Sequence, residues 1–270
     1  MEQHQIMDLL QQASEIVRQA GQLFFQEEKR SAVHSKGRMD FVTDVDTSVQ
    51  AFLQQTLQEL LPDAQFLGEE KDNSDIDHSG LVWINDPVDG TTNLIHNFCH
   101  SVVSLGLTDG GELILGLVYD PYRDELFTAM RGMGAYCNGI RIQVSQAQEL
   151  SDCLTAVGTA PGNRDYMEQS FALMRAMFER CHDVRRMGSA ALDLCYVAAG
   201  RLDLYTEAYL NPWDIAAGTL IVREAGGIVT DNFGNALPLD RSTGVLAGNP
   251  EVHPKALEVI KQYSKDGTVG

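Results

Sequence analysis

The feature that most constrains the fold is an acidic turn between a strand-like run and a possible helix start, in residues 83–93 (W-I-N-D-P-V-D-G-T-T-N). Pro87 fixes its own φ and restricts Asp86 to extended backbone. The side chains of Asp86 and Asp89 leave the end of a strand and can converge on one point. Carboxylates there suit a divalent cation, and the glycine and threonines that follow suit a phosphate. The segment therefore indicates a site for a phosphate ester.

An isolated D-P-x-D-G segment has a simpler interpretation, an Asp-Pro turn in which Asp89 caps a helix. Other acidic segments favour the metal site instead. Glu69 and Glu70 end a short apolar run, and a return strand would place Glu69 beside Asp86. Adjacent glutamates are more often solvated, so this pair alone carries little weight.

Asp214 lies in the third acidic segment, residues 211–218 (N-P-W-D-I-A-A-G). Pro212 suits the first turn of a helix, and the small residues 216–218 allow that helix to pack closely. The simpler interpretation of Asp214 is a favourable charge at a helix N-terminus.

Together these segments supply four carboxylates. Oxygen ligands without cysteine or histidine select a hard cation, and Mg²⁺ is the expected one. Convergence of the four would be costly without cations, because like charges repel. The four residues are Glu69, Asp86, Asp89 and Asp214.

Two glycine-led segments are candidates for substrate contact. Backbone N–H groups of Gly90, Thr91 and Thr92 suit a phosphate, although a threonine pair is also an ordinary helix cap. Residues 188–191 (G-S-A-A) can open a second helix, where Ser189 is equally well interpreted as an N-cap. Glu207 is predicted at a strand end, where it could reach a substrate hydroxyl or simply be surface.

The overall composition excludes some partners and compartments. The 270 residues carry a formal net charge of −18, which disfavours nucleic acid and anionic membranes. Five scattered cysteines without a C-x-x-C pair predict reduced thiols in a cytoplasmic protein. No apolar run approaches membrane-spanning length.

Periodicity predicts an α+β half in residues 1–150 with an antiparallel sheet, and an α/β half in residues 151–270, packed as one unit over residues 6–265. A loop is expected over residues 31–40. The predicted helices span residues 6–28, 44–61, 165–181, 189–199, 213–225 and 254–263. The predicted strands span residues 81–85, 101–108, 112–119, 124–130, 153–158, 202–206 and 227–230.

The chain resembles the inositol monophosphatase family of Mg²⁺-dependent, lithium-sensitive sugar phosphatases. Three motifs in order carry the resemblance: G-E-E at 68–70, W-x-x-D-P-x-D-G-T-T-N at 83–93 and W-D-x-A-A-G at 213–218. Further similar stretches lie at residues 42–46, 132–139 and 188–192. The likeness therefore covers nearly the whole chain. It implies a layered αβαβα sandwich of the inositol monophosphatase and fructose-1,6-bisphosphatase type, and a homodimer.

The resemblance also implies roles by position, with roughly two to three Mg²⁺ ions per site. The implied metal ligands are Glu69, Asp86, the carbonyl of Val88, Asp89 and Asp214. The implied catalytic residues are Thr91 with Glu69, which activate the attacking water, and Asp46, which supports Thr91. The implied substrate-binding residues are Asp89, Gly90, Thr91, Thr92, Gly188, Ser189, Ala190 and Glu207. Departures from the family pattern at Lys71, Asn85, Leu94, Cys99 and His100 remove no ligand.

The predicted reaction is hydrolysis of a phosphate monoester, with myo-inositol 1-phosphate as the expected substrate. Relatives that act on fructose 1,6-bisphosphate, histidinol phosphate, nucleotide bisphosphates or NADP(H) keep other substrates open. A haloacid-dehalogenase phosphatase is rejected, because its two aspartates stand at i and i+2 whereas Asp86 and Asp89 stand at i and i+3. A regulatory binding protein on the same scaffold stays an alternative, although no ligand is missing.

Overall fold

Helices and sheets follow one another along a chain whose structure, a computed structural model, describes residues 3–37 and 40–263. The helices there are α1 (Gln3–Gly21), α2 (Glu27–Ser31), α3 (Asp44–Leu60), α4 (Thr91–Ile95), α5 (Met167–Phe178), α6 (Ala190–Ala198), α7 (Pro212–Glu224) and α8 (Val252–Ile260). The strands are β1 (Val33–Gly37), β2 (Asp40–Thr43), β3 (Gln65–Gly68), β4 (Leu81–Asp89), β5 (Val102–Asp109), β6 (Glu112–Asp120), β7 (Glu125–Met130), β8 (Ala135–Cys137), β9 (Ile140–Ile142), β10 (Leu154–Val157), β11 (Asp183–Arg185), β12 (Leu204–Leu210), β13 (Ile228–Thr230) and β14 (Thr243–Gly248).

Five layers result, and they confirm the expected αβαβα sandwich. Helices α1 and α3 cover one face of a seven-stranded sheet, and α6 and α7 pack on its other face. The same two helices contact a five-stranded sheet, whose far face is covered by α5 and α8. Three buried apolar clusters fill the four interfaces between these layers, because one cluster spans both faces of the central layer of α6 and α7.

The seven-stranded sheet has the order β3-β4-β5-β6-β7-β8-β9. Strand β3 is parallel to β4, and every later neighbour is antiparallel. The predicted antiparallel meander is therefore confirmed over β4 to β7. The parallel β3–β4 pair is important for the site, because it places the two strands' carboxyl ends at the same edge.

The five-stranded sheet has the order β11-β10-β12-β14-β13 and is mixed. Strands β11, β10 and β12 are parallel, whereas β14 is antiparallel to both of its neighbours. The sequence pattern missed two strands of this sheet, β11, which has only three residues, and β14, whose apolar core is only three residues long. The division of the chain into two halves at residue 150 stays a prediction.

Small residues set the spacing between the seven-stranded sheet and the central helices. A Cβ on Gly116 would lie 2.7 Å from the carbonyl oxygen of Ala217, and one on Gly106 would lie 3.2 Å from the Cβ of Ala216. The prediction that small residues 216–218 allow close packing of α7 is thus confirmed. This close packing fixes the height of Asp214 above the sheet.

Two local predictions were wrong. The helix expected over residues 6–28 ends at Gly21, where the Tyr119 ring packs closely, and a 3₁₀ turn and α2 follow. The loop expected over residues 31–40 is largely strand, because Val33 pairs with Thr43 in an antiparallel hairpin. Residues 38 and 39 lie outside the described part. Elsewhere the predicted elements are present with shifted ends.

The five cysteines are all free, in agreement with the prediction of reduced thiols. Among the helices of the described ranges, none has both the length and the apolar character needed to cross a membrane.

Candidate active site

Three carboxylates meet where β4 ends and α7 begins. One carboxylate oxygen from each of Asp86, Asp89 and Asp214 lies within 4.8 Å of the other two. The pairing of β4 with β5 shifts register between Asp86 and Asp89, as at a bulge, and such a shift can re-aim side chains. Asp214 is the third residue of α7, and its backbone is held over this edge of the sheet by the packing of α7.

Glu69 approaches the three aspartates from the neighbouring strand. Strand β3 runs parallel to β4, and the Glu69 N–H donates to the Asn85 carbonyl at 3.3 Å. The predicted return strand is confirmed, and it brings the Glu69 carboxylate close enough to raise the pKa of Asp86 and of Asp214.

Ionisation of the three clustered aspartates is unfavourable in this structure. Burial, and then the charge of Glu69, raise the pKa of Asp86 well above its usual range. Burial and the charge of Asp89 do the same to the pKa of Asp214. Burial raises the pKa of Asp89 to about 6 although it accepts several hydrogen bonds. An all-oxygen set with such unfavourable charge fits a hard divalent cation, whose own charge would stabilise the ionised carboxylates.

Asp89 is held from the far side by the start of α6, not by its own helix. Its Oδ2 accepts from Ser189 Oγ at 2.6 Å and from the Ala191 N–H at 2.7 Å, and its Oδ1 accepts from the Ala190 N–H at 3.3 Å. The helix after Asp89 has Gly90 as its N-cap. The simple N-cap interpretation of Asp89 is therefore wrong. Ser189 is the N-cap residue of α6, but its hydroxyl donates to Asp89 instead of accepting from its own helix.

Thr91 connects the cluster to a buried aspartate. Its Oγ1 lies 2.9 Å from Asp46 Oδ1 and 3.1 Å from the Val88 carbonyl oxygen, and its single proton can be donated to only one of them at full strength. The other oxygen of Asp46 accepts from the Thr43 N–H at 2.8 Å and the Thr43 hydroxyl at 2.5 Å. Burial raises the pKa of Asp46, and these hydrogen bonds oppose that shift.

Gly90 makes the tight turn between β4 and α4. Its φ is 96°, in the left-handed region, and a Cβ there would lie 3.0 Å from the carbonyl oxygens of Gly188 and His100. Asn93 fixes the same segments, since its Nδ2 lies within 3.2 Å of the carbonyl oxygens of His100, Met187 and Gly188. The two glycine-led segments predicted to contact substrate are thus joined directly.

Glu207 is buried and firmly oriented. The Tyr205 hydroxyl donates to Oε2 at 2.6 Å, and the Ala160 N–H donates to Oε1 at 2.6 Å. A Cβ on Gly158 would lie 1.8 Å from Glu207 Oε2, so only glycine fits there. Burial raises the pKa of Glu207, and the hydrogen bonds from Tyr205 and Ala160 oppose the shift.

An open cavity of about 640 Å³ collects these groups. Its walls include most of the predicted site residues: Glu69, Asp89, Gly90, Thr91, Thr92, Gly188, Ala190, Glu207 and Asp214. Four other predicted site residues do not line the cavity but interact with residues that do, through hydrogen bonds or charge: Asp46, Asp86, Val88 and Ser189.

Sequence reasoning missed several residues of the cavity. Phe41, Asn93, Tyr209 and the loop of residues 159–164 line it, together with Arg186. The Arg-Arg pair just before Gly188 was a usable signal, because an arginine next to a substrate-contact segment can face the substrate. The loop could not be found, because only the pairing of β10 with β12 brings it to the site.

The departures from the family pattern lie around the site and leave the cluster intact. Asn85 is fully buried and donates to the Ser104 carbonyl at 3.0 Å, and Lys71 donates to the Phe66 carbonyl at 2.8 Å. Leu94 is buried. Cys99 has a φ of 56°, and its neighbour His100 packs edge-on against Tyr196.

Comparison with known proteins identifies relatives along nearly the whole chain. A sequence model of the inositol monophosphatase family matches residues 5–265. The Nus factor SuhB of Escherichia coli K12 is 41% identical over 231 residues, which are 86% of each chain. The Nus factor SuhB of Haemophilus influenzae is 41% identical over 237 residues, or 87% of this chain and 88% of that protein.

Solved structures show the same fold. The IMPase of Thermotoga maritima superposes with a TM-score of 0.86 at 33% identity, covering 95% of this chain and 98% of that one. The extragenic suppressor protein SuhB of Bartonella henselae superposes with a TM-score of 0.88 at 35% identity, covering 94% and 99%.

Proposed function

Because this chain belongs to the inositol monophosphatase family, we propose that it is a Mg²⁺-dependent phosphatase that hydrolyses a phosphate monoester, with myo-inositol 1-phosphate as the first candidate. The single observation that carries the proposal is the convergence of two buried carboxylates, Asp86 and Asp89, and the half-buried Asp214 at an open cavity that Thr91 also lines. The names of the structural neighbours, which include inositol monophosphatases, support the same activity.

The cation would be held by Asp86, Asp89 and Asp214, with Glu69 and the Val88 carbonyl as the remaining ligands. Bound there, Mg²⁺ would lower the pKa of water and stabilise the leaving alkoxide. No side chain is expected to become phosphorylated.

Thr91 is placed to orient the attacking water. When the Thr91 hydroxyl donates its hydrogen bond to Asp46, the lone pairs of Oγ1 are left to accept a hydrogen bond from the attacking water. Glu69 lines the same cavity and is the proposed partner in activating that water. Asp46 keeps Thr91 in this role, because Thr43 fixes the carboxylate from its other side.

The phosphate and the alcohol are assigned to different parts of the cavity. Backbone N–H groups of Gly90, Thr91 and Thr92 suit the phosphate oxygens. Residues 188–190 and Glu207 suit the alcohol, since the Glu207 carboxylate is fixed and can accept from substrate hydroxyls.

Phosphate release measured with and without Mg²⁺ tests the proposal. We expect release from myo-inositol 1-phosphate only with Mg²⁺, and a loss of at least roughly 10²-fold in kcat for Asp214→Asn. Asp63→Asn, the same change at an exposed position after α3, is the matched control and should retain wild-type turnover. A panel with fructose 1,6-bisphosphate, histidinol phosphate, nucleotide bisphosphates and NADP(H) ranks the substrates by kcat/KM. Undiminished turnover in Asp214→Asn would contradict the proposed mechanism.

A second candidate function is supported by the names of the relatives. Proteins at 40–41% identity are called Nus factors, so this chain is also a candidate for a factor role beside catalysis. An Escherichia coli strain that lacks its own SuhB separates the two functions. If the chain and its Asp89→Asn variant both restore growth, the factor role needs no turnover. Rescue by neither removes this candidate.

A further inference from the structure

Two arginines, Arg164 and Arg186, line the same cavity as the acidic residues of the candidate site. The Nε of Arg186 donates to Thr159 Oγ1 at 3.0 Å. Within residues 3–37 and 40–263, the terminal nitrogens of Arg186 have no hydrogen-bond partner and no carboxylate within 4.0 Å, and the same holds for the whole guanidinium of Arg164. Both arginines therefore keep charged donors available to a ligand.

Many arginines of this acidic chain, which has 38 acidic against 20 basic residues, pair with a carboxylate. Examples on the surface are Arg18, Arg123, Arg131, Arg175 and Arg201. Arg164 and Arg186 differ from the other unpaired arginines of the described residues because both line the cavity of the candidate active site. Two guanidinium groups available in one cavity suit an anionic group that comes from outside the chain.

Arg186 lies on the alcohol side of the cavity. A Cβ on Gly188 would lie 2.1 Å from Arg186 Nη1, so the guanidinium rests directly over this glycine. Its positive charge also acts on Glu207, whose pKa it lowers against the larger effect of burial. Both neighbours belong to the part of the cavity assigned to the alcohol.

Arg186 also positions the loop that carries Arg164. Its Nε holds Thr159, the first residue of the loop of residues 159–164, and the next residue, Ala160, donates its N–H to Glu207. The loop is thereby fixed against the wall, and Arg164 lies at its far end, also facing the cavity.

We propose that Arg186 and Arg164 form a subsite for a second anionic group, a carboxylate or phosphate, on the alcohol part of the substrate. The inference rests on the proposed phosphatase function. A guanidinium binds carboxylate and phosphate through two parallel hydrogen bonds, which adds geometric selectivity to the charge attraction. Among otherwise matched phosphate esters the enzyme would prefer those whose alcohol carries an anionic group, and myo-inositol 1-phosphate would be hydrolysed without using this subsite.

Two esters of the same carbon skeleton test the subsite. Glycerol 3-phosphate and 3-phosphoglycerate differ in one position, where a CH₂OH group is replaced by a carboxylate. With Mg²⁺ we expect the wild type to favour the carboxylate ester in kcat/KM by roughly tenfold, as for a charge-assisted hydrogen bond. In Arg186→Gln and in Arg164→Gln the preference should fall to about one, because KM rises for the carboxylate ester alone.

The controls separate this inference from the proposed function. Arg175→Gln removes the same charge from the exposed surface of α5 and should keep the wild-type preference. If neither glycerol ester is turned over, their inhibition constants against myo-inositol 1-phosphate give the same ratio. Arg164→Gln removes no hydrogen bond of the described fold, so this variant can test the subsite alone if Arg186→Gln does not fold.

Equal treatment of the two esters by the wild type overturns the subsite and leaves the phosphatase intact. A preference that survives in both cavity variants, or that disappears in Arg175→Gln as well, also overturns it. Absence of phosphate release from every ester, myo-inositol 1-phosphate included, would instead refute the phosphatase function itself.

Discussion

At the scale of the residue, single carboxylates serve the fold and the site together. Asp46 is the third residue of α3 and forms a capping box with Thr43 through one oxygen, while its other oxygen accepts from Thr91. Asp214 holds the same position in α7, where its Oδ2 accepts the Asn211 N–H at 2.6 Å. The simple interpretation of Asp214 as a helix-start charge is therefore correct, but it is incomplete.

The Thr91 hydroxyl gives the first prediction at this scale. Thr91→Val keeps the size of the side chain and removes the hydroxyl, so water loses its proposed acceptor and Asp46 loses a donor. We expect kcat to fall by about 10²–10⁴-fold, the usual range for a lost proton-transfer partner. Thermal melting in rising Mg²⁺ should show that metal affinity is kept. Thr56→Val, the same change in the middle of α3, should leave kcat unaltered.

At the scale of the element, the site is formed by the ends of strands and the starts of helices. The carboxyl ends of β3 and β4 supply Glu69, Asp86 and Asp89, and the starts of α3 and α7 supply the other two aspartates. The start of α6 holds Asp89 from the far side. Ends of elements can meet at one point without interrupting the ladders of the sheets, which is why the site lies at an edge.

Asn93 tests how firmly these ends are joined. Its Nδ2 serves three carbonyl oxygens, one before β5 and two before α6. We expect Asn93→Ala to lower the free energy of unfolding by about 1–3 kcal/mol, since buried acceptors lose their donor. Asn93→Asp should be worse, because it faces the same carbonyls with a carboxylate. Urea unfolding of both variants measures this, and equal stability of Asn93→Asp and wild type would contradict it.

A substitution at Gly158, directly after β10, tests whether the position of the Glu207 carboxylate matters for substrate binding. Gly158→Ala places a methyl group where the Glu207 carboxylate lies, so the carboxylate must move and lose its bonds to Tyr205 and Ala160. We expect KM for the phosphate ester to rise about tenfold or more, with a loss of about 1–3 kcal/mol in the free energy of unfolding. Gly162→Ala, in the same loop with open space around it, is the control. An unchanged KM in Gly158→Ala would count against a substrate role for Glu207.

At the scale of the whole molecule, charge dominates behaviour. A net charge of −18 repels anionic substrates at long range, and the buried acidic cluster adds local repulsion. Arg164 and Arg186 place positive charge in the cavity, and a bound cation would add more. Substrate binding is therefore expected to depend on cations far more than on the overall surface potential.

The pH dependence of stability follows from the acidic cluster. Asp89 has a folded-state pKa of about 6, above that of an unfolded aspartate, and Asp86 and Asp214 shift in the same direction. The folded state thus binds more protons than the unfolded state, so without metal its stability falls as pH rises from about 4 through 6 and above. Bound Mg²⁺ would offset this loss of stability only at pH values where the carboxylates are ionised.

Thermal melts at two pH values check this expectation. The rise in Tm on adding Mg²⁺ should be larger at about pH 8 than at about pH 5, because protons compete with the cation at the lower value. Asp214→Asn should remove most of the difference. An equal Mg²⁺ effect at both pH values would show that the raised carboxylates are not the metal ligands.

Periodicity and motifs in the sequence were enough for the fold class, most helices, the meander β4 to β7 and the candidate ligands. These features depend on local pattern: apolar spacing along α3, turn residues between strands, and carboxylates at strand ends. The hairpin of β1 and β2 and the strands β8, β9, β11 and β14 were missed, since these strands are short and gain stability from pairing and packing.

Tertiary structure alone decided which groups meet. The sequence named Asp89 and Ser189 separately, but only the tertiary structure shows that the Ser189 hydroxyl, at the start of α6, donates to Asp89 at the end of β4. The tertiary structure also brings the loop of residues 159–164 and Arg186 into one cavity with Glu207. The physical reason is that the chemistry of a side chain, which is local, decides whether a residue can bind a metal or a substrate. Whether such residues meet in space depends on contacts between layers whose residues lie 100 or more positions apart in the sequence.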